Sequence, residues 1–80
     1  MSVITMRDAK RDFSLGYLTR FAIGRSIQNL GEWTILLGHY EKSAFLSDAR
    51  TKQTRKFKSL DTAVRALEEI GFEVDVLEKR

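Results

Sequence analysis

The sequence predicts a two-layer α+β domain in which one amphipathic helix, residues 59–70, lies on an antiparallel meander sheet of three to four strands. Three observations carry this. Residues 58–71 hold an apolar stripe at helical spacing with both ends marked. Residues 33–40 and 72–77 are rich in β-branched and aromatic residues, the second alternating cleanly with carboxylates. Short polar stretches separate these runs at lengths that suit tight connections rather than long crossovers.

Taken in order, Ser2 to Thr5 reads as a short strand. Residues 6–13, with only Met6, Ala9 and Phe13 as apolar points, read either as a helical turn or as a loose arm carrying Arg7, Lys10 and Arg11. Residues 1–15 are thus the candidate arm of a single domain over 1–80.

Residues 17–27 fit two templates. Leu18, Phe21, Ala22 and Leu30 would share one side of a helix, but Gly24 would cost such a helix about 1 kcal/mol relative to alanine. The alternation of Tyr17, Thr19, Phe21 and Ile23 favours a strand, followed by a hairpin loop at Asn29-Leu30-Gly31. Trp33 to Tyr40 is the clearest strand, with Trp33, Ile35, Leu37 and His39 on one face. Glu41-Lys42-Ser43 connects it to a strand over 44–49, and residues 50–53 turn the chain into a further strand over 54–58.

In the helix, Ser59 is placed to cap the N-terminus and Asp61 to meet the helix dipole in the first turn. Leu60, Ala63, Val64, Leu67 and Ile70 form the stripe, and Gly71 supplies a left-handed stop. That stripe is expected to pack on Phe21, Ile23, Ile35, Leu37, Phe57 and Val74. The final strand, 72–77, closes the sheet at or near an edge.

Eighty residues with 42% hydrophobic content can build a small core, but cysteine is absent, so neither disulfides nor thiolate metal sites support it. The N-terminus lacks the apolar run of a signal peptide, and no stretch approaches the ~18 apolar residues a membrane span needs. A cytoplasmic protein without membrane association is the expectation.

Function has to be read from charge. Residues 1–58 hold 11 basic and 5 acidic side chains, while residues 59–80 hold 3 basic and 6 acidic ones. The sheet-forming part is therefore positive and the helix and tail negative, which points to an anionic partner for one face. The densest positive run is Arg50, Lys52, Arg55, Lys56 and Lys58, five cations without an acid in a proposed hairpin. On that reading Lys56 and Lys58 point away from the face Phe57 gives to the core, Arg20 reaches the same outer face, and Tyr40 adds a stacking surface. Phosphate neutralisation by such cations would make the domain a nucleic-acid-associated module, with the choice between DNA and RNA not set by the sequence. The competing reading of the same cations is protection of an exposed hairpin edge.

A second function class rests on the uncovered sheet face. Leu18, Ala22, Leu36 and Tyr40 would make it half apolar, which fits a homodimer or another protein partner unless the N-terminal arm covers it. Catalysis has no support. His39 is the only histidine, no nucleophile–base arrangement can be assembled around it, and Glu41 beside His39 is too sparse for a metal site. The five glycines form no phosphate-loop pattern, so no small-molecule cofactor is implied.

The succession Gly31-Glu-Trp33-Thr-Ile-Leu-Leu37, then Leu46-Ser-Asp-Ala49-Arg50, then Arg55-Lys-Phe57-Lys-Ser59-Leu60-Asp61-Thr-Ala63 and Ile70-Gly71 resembles a group of small uncharacterised bacterial single-domain proteins carried on plasmids and integrative elements. The resemblance covers about residues 18–76. It implies a stand-alone βββ-α-β-type domain in a bacterial host with a DNA-maintenance context, and it transfers no binding residues.

Overall fold

The computed structural model describes residues 2–27, 31–39 and 42–74. Within them the chain runs β1 (Val3–Thr5), α1 (Met6–Ser14), β2 (Arg20–Arg25), β3 (Trp33–His39), β4 (Lys42–Ser47) and α2 (Leu60–Ile70), an α+β fold with one four-stranded sheet in the order β1-β4-β3-β2.

β2, β3 and β4 are the expected antiparallel meander. The sheet is nonetheless mixed, because β1 joins the far side of β4 in parallel, with Val3 beside Phe45 and Thr5 beside Ser47. Parallel neighbours are distant in sequence and carry no hairpin signature.

The two helices share one face of the sheet. α2 forms as its sequence dictates: Ser59 Oγ accepts from the amide of Thr62 at 3.2 Å, Asp61 lies in the first turn, and Gly71 ends the helix at φ 132°. Its buried residues are Ala63, Ala66, Leu67 and Ile70, so the stripe is rotated slightly from the expected one and Leu60 is left exposed. They pack over Ile35, Leu37, Leu46 and Phe57, with Ile23, Trp33 and Val74 closing the margins.

Residues 6–14 are a capped helix and not a loose arm. Thr5 ends β1 and also caps α1, its side chain accepting from the Asp8 amide. Ala9 is fully buried, and Phe13 meets Phe72 edge to face at 4.7 Å between ring centroids. Lys10 reaches Glu69 of α2 at 2.9 Å, an exposed ion pair worth only a few tenths to about 1 kcal/mol. α1 therefore lies beside α2, and the opposite sheet face is left uncovered by it.

Two expected strands do not form among the described residues. Over 72–74 the backbone is not in a strand, and the rest of the 72–77 run lies outside the described residues. Over 54–58 the chain makes only isolated bridges, Ser47 to Thr54 and Trp33 to Phe57. The reason is visible in the ladder of β3 and β4, which ends at Leu36 and Phe45. Beyond that point the strands diverge and residues 54–57 cross the gap. Arg55 donates its amide to the Leu46 carbonyl at 2.8 Å, and Phe57 exchanges both backbone bonds with Trp33 at 2.7 and 2.8 Å. The segment satisfies its polar groups alternately on two strands, so it is a strut and not a sheet member.

Candidate nucleic-acid interface

In a strand alternate residues face opposite sides. With Ile35, Leu37 and Leu46 buried under the helices, alternation gives the opposite face Val3 and Thr5 of β1, Ser43 and Phe45 of β4, Thr34, Leu36 and Gly38 of β3, and Arg20, Ala22 and Gly24 of β2; Ser47 shares that side but is buried where it bridges to Thr54, and Thr34 is buried as well. Register aligns four of these straight across the sheet: Val3, Phe45, Leu36 and Ala22 form one apolar row, one residue from each strand. Val3 is 44% exposed and Ala22 is exposed, while Phe45 and Leu36 are half-buried.

The row is flanked on both sides by recesses. One, of about 480 Å³, is floored by Ala22, Gly24, Thr34 and Leu36 and walled by Phe45 and Lys56. It exists because the β2 and β3 positions there are small; the Thr34 hydroxyl is turned onto the Gly24 carbonyl at 3.5 Å. The second, of about 320 Å³, shares Ala22 and Leu36 with the first and is bounded by Arg20, Gly38 and Ser43. The Arg20 side chain lies against Gly38, whose β-carbon position is 3.7 Å from its Nε, an ordinary contact distance.

The electrostatics of this face are one-sided. Among the described residues none of its strand positions is a carboxylate, and Arg20 and Lys56 border the recesses on opposite sides of the row. The described acids lie elsewhere, on α1 and α2, on the turn after β4, or at Glu32 and Glu73.

Of the seven residues expected at the interface, the six that are described are not gathered into one patch. Arg20 and Lys56 are on the uncovered face. Arg55 turns the other way: its guanidinium carbon lies 4.9 Å from the centre of the Phe57 ring, and its charge adds to the larger effect of the Lys10 bond in holding Glu69 of α2 below the usual carboxylate range. Arg50 and Lys52 are exposed on the turn beyond β4, and Lys58 is exposed just ahead of the Ser59 cap. Tyr40 lies outside the described residues. Leu18, expected on the open face, is buried in the core.

Asp48 organises the turn that bears Arg50 and Lys52. Its carboxylate accepts from the Arg50 amide at 2.8 Å and the Thr51 amide at 3.4 Å, and its carbonyl accepts from the Lys52 amide at 2.7 Å. The first of these bonds, then the second, holds its pKa below the ordinary aspartate value, with the charges of Arg50 and Arg55 adding to the effect. Lys52 adopts a left-handed backbone at φ 60° to complete the turn. The expected basic hairpin is thus a loop over 48–53 closed by one bridge, with an anion at its centre.

Two contributors were not singled out from sequence. Phe45 is the aromatic on the open face, and strand alternation was the signal for it, since Leu46 next to it faces the core. Arg25 borders the larger recess and lays its guanidinium 5.0 Å from the centre of the Trp33 indole. Among the described residues no three His, Cys, Asp or Glu side chains gather as a metal site, and no helix is long and apolar enough to cross a membrane. Comparison with known protein families, with characterised proteins and with solved structures gave no match.

Proposed function

We propose that the chain is a small, cytoplasmic, non-enzymatic nucleic-acid-binding module whose contact surface is the uncovered face of its sheet. The observation that carries this is the row Phe45–Leu36–Ala22 set between Arg20 and Lys56 on a face whose strand positions carry no carboxylate. Bases are flat and apolar on their faces, and stacking on an aromatic side chain is tolerant of sequence. Phosphates need cations held at the margins of such a platform, and each contact releases counterions. The sheet presents the apolar row and Arg20, and the strut bridged to it at Thr54 and Phe57 presents Lys56.

The same face is a poorer match to a second copy of itself. Face-to-face association would bring Arg20 and Lys56 of each copy toward strand positions that carry no acid among the described residues, whereas a polyanion offers a phosphate to each.

Fluorescence anisotropy with a labelled oligothymidylate tests the reading. Two phosphate contacts on a single strand predict a log–log salt slope of about −1.4, and loss of one cation in Lys56→Gln should bring it to about −0.7. Absence of binding at low salt, or a slope unchanged by removal of both cations, rejects it.

A further inference from the structure

We infer that β2 is a self-association edge, pairing antiparallel with β2 of a second copy so that two four-stranded sheets become one. β2 ends the sheet, and its even-numbered residues turn their backbone groups toward β3, as the bond from the Ser26 amide to the Glu32 carbonyl at 2.8 Å shows. The N–H and C=O groups of Phe21, Ile23 and Arg25 therefore point outward. Among the described residues nothing pairs with them.

Free edges are normally blunted by proline, a central charge, a bulge or shortness. β1, the other edge, is three residues long. β2 is twice that, follows a regular ladder with β3, and carries Phe21-Ala22-Ile23-Gly24 at its centre; the whole chain lacks proline.

The edge is complementary to itself in one register. With a two-fold axis at Ile23, Ile23 opposes the partner's Ile23, Phe21 opposes the partner's Arg25, and Ala22 opposes the partner's Gly24. All three outward residues then exchange both backbone bonds. No cation meets a cation: Arg25 falls beside an aromatic ring, a favourable pairing. Phe21, 36% exposed where it flanks Phe72 on the helix side, gains cover from the partner. The helices of both copies stay on one side of the joined sheet, and the two larger recesses meet where Ala22 adjoins the partner's Gly24.

The test reads mass, so it is independent of any nucleic acid. Light scattering on the intact chain after size exclusion should give twice 9.2 kDa. Ile23→Pro removes an outward N–H and no internal ladder bond, so it should halve the mass while circular dichroism keeps the wild-type shape. If that variant misfolds, crosslinking decides. In a chain without cysteine, Ala22→Cys would stand in a diagonal pair with its counterpart, about 7–8 Å away, within reach of a short bis-maleimide. Ser43→Cys, exposed on the same face but two strands further in, should stay uncrosslinked. A wild-type monomer at high protein concentration overturns the inference. So does a dimer that survives in folded Ile23→Pro, or crosslinking at Ser43→Cys in place of Ala22→Cys.

Discussion

The ring of Phe13 fills the space that a side chain on residue 71 would need: a β-carbon built on Gly71 would fall 2.5 Å from Cε2 of Phe13 and 2.6 Å from Cδ2. Gly71 also sits at φ 132°, where L-residues are strained. One glycine thus ends α2 and lets α1 close against it. Gly71→Ala is expected to destabilise the fold by about 2–4 kcal/mol, combining the conformational penalty with overpacking. Urea unfolding measures the total. The double variant with Phe13→Ala separates the parts: the steric share should be relieved and the backbone share should persist.

At the other end of α2, Ser59 Oγ accepts from the Thr62 amide at 3.2 Å, and the Thr62 hydroxyl returns a bond to the Ser59 carbonyl at 2.8 Å. Ser59→Ala leaves that amide to solvent and should cost about 1 kcal/mol. Ser59→Asp should cost little, since aspartate caps equally well and adds a favourable charge at the dipole. Equal urea midpoints for the alanine and aspartate variants would show that the cap contributes nothing.

What could be read from the sequence follows how local its signals are. α2 was legible because Ser59, the apolar spacing and Gly71 all lie within one stretch. β3 was legible because Trp33 to Tyr40 is dense in β-branched and aromatic residues, a composition that marks a strand without reference to its partners. The parallel pairing of Val3 with Phe45 was not, since forty-two positions separate the two residues and nothing local marks the partner. α1 looked doubtful because it offers only three apolar points, Met6, Ala9 and Phe13, and the core they pack on is formed by residues distant in sequence.

The candidate site divides the same way. The opposite orientations of Lys56 and Phe57 were foreseeable from alternation. That Arg55 would follow Phe57 obeys the same rule, yet a run of five cations reads as a patch until alternation splits it. Alternation within the expected strand 44–49 puts Phe45 and Leu46 on opposite faces, but which of the two faces the core, and that Phe45 extends the apolar row, is shown only by the register with Leu36.

Acid should loosen the fold through two carboxylates. Backbone bonds to Asp48 and, for Glu69, the bond from Lys10 hold both pKa values below their ordinary 3.8 and 4.5. A carboxylate with a depressed folded pKa binds protons more readily when unfolded, so its contribution is present above the ordinary value and is lost as pH falls through the folded one. Urea midpoints should therefore decline as pH drops below about 4. Asp48→Asn keeps an oxygen that can accept from the Arg50 amide but removes the titration. Its midpoint should fall less steeply over that window, and an unchanged slope would assign the acid sensitivity elsewhere.

Arg55 and Lys56 are neighbours in sequence and serve opposite sides of the strut, which makes them a matched pair for testing the interface. Lys56 lines the larger recess on the uncovered face, whereas Arg55 lies over Phe57 on the helix side, with Glu69 within range of its charge. Lys56→Ala should weaken binding of a labelled single strand and flatten its salt dependence by about 0.7 in log–log slope, with little change in stability. Arg55→Ala should leave the slope unchanged and cost roughly 0.5 kcal/mol of stability through the lost cation–ring contact at an exposed site. The comparison is internal, since both variants remove one positive charge from adjacent positions and change net charge equally. Equal losses of affinity would mean that long-range field, and not placement on the face, governs binding. A larger loss for Arg55→Ala would move the interface to the helix side of the strut.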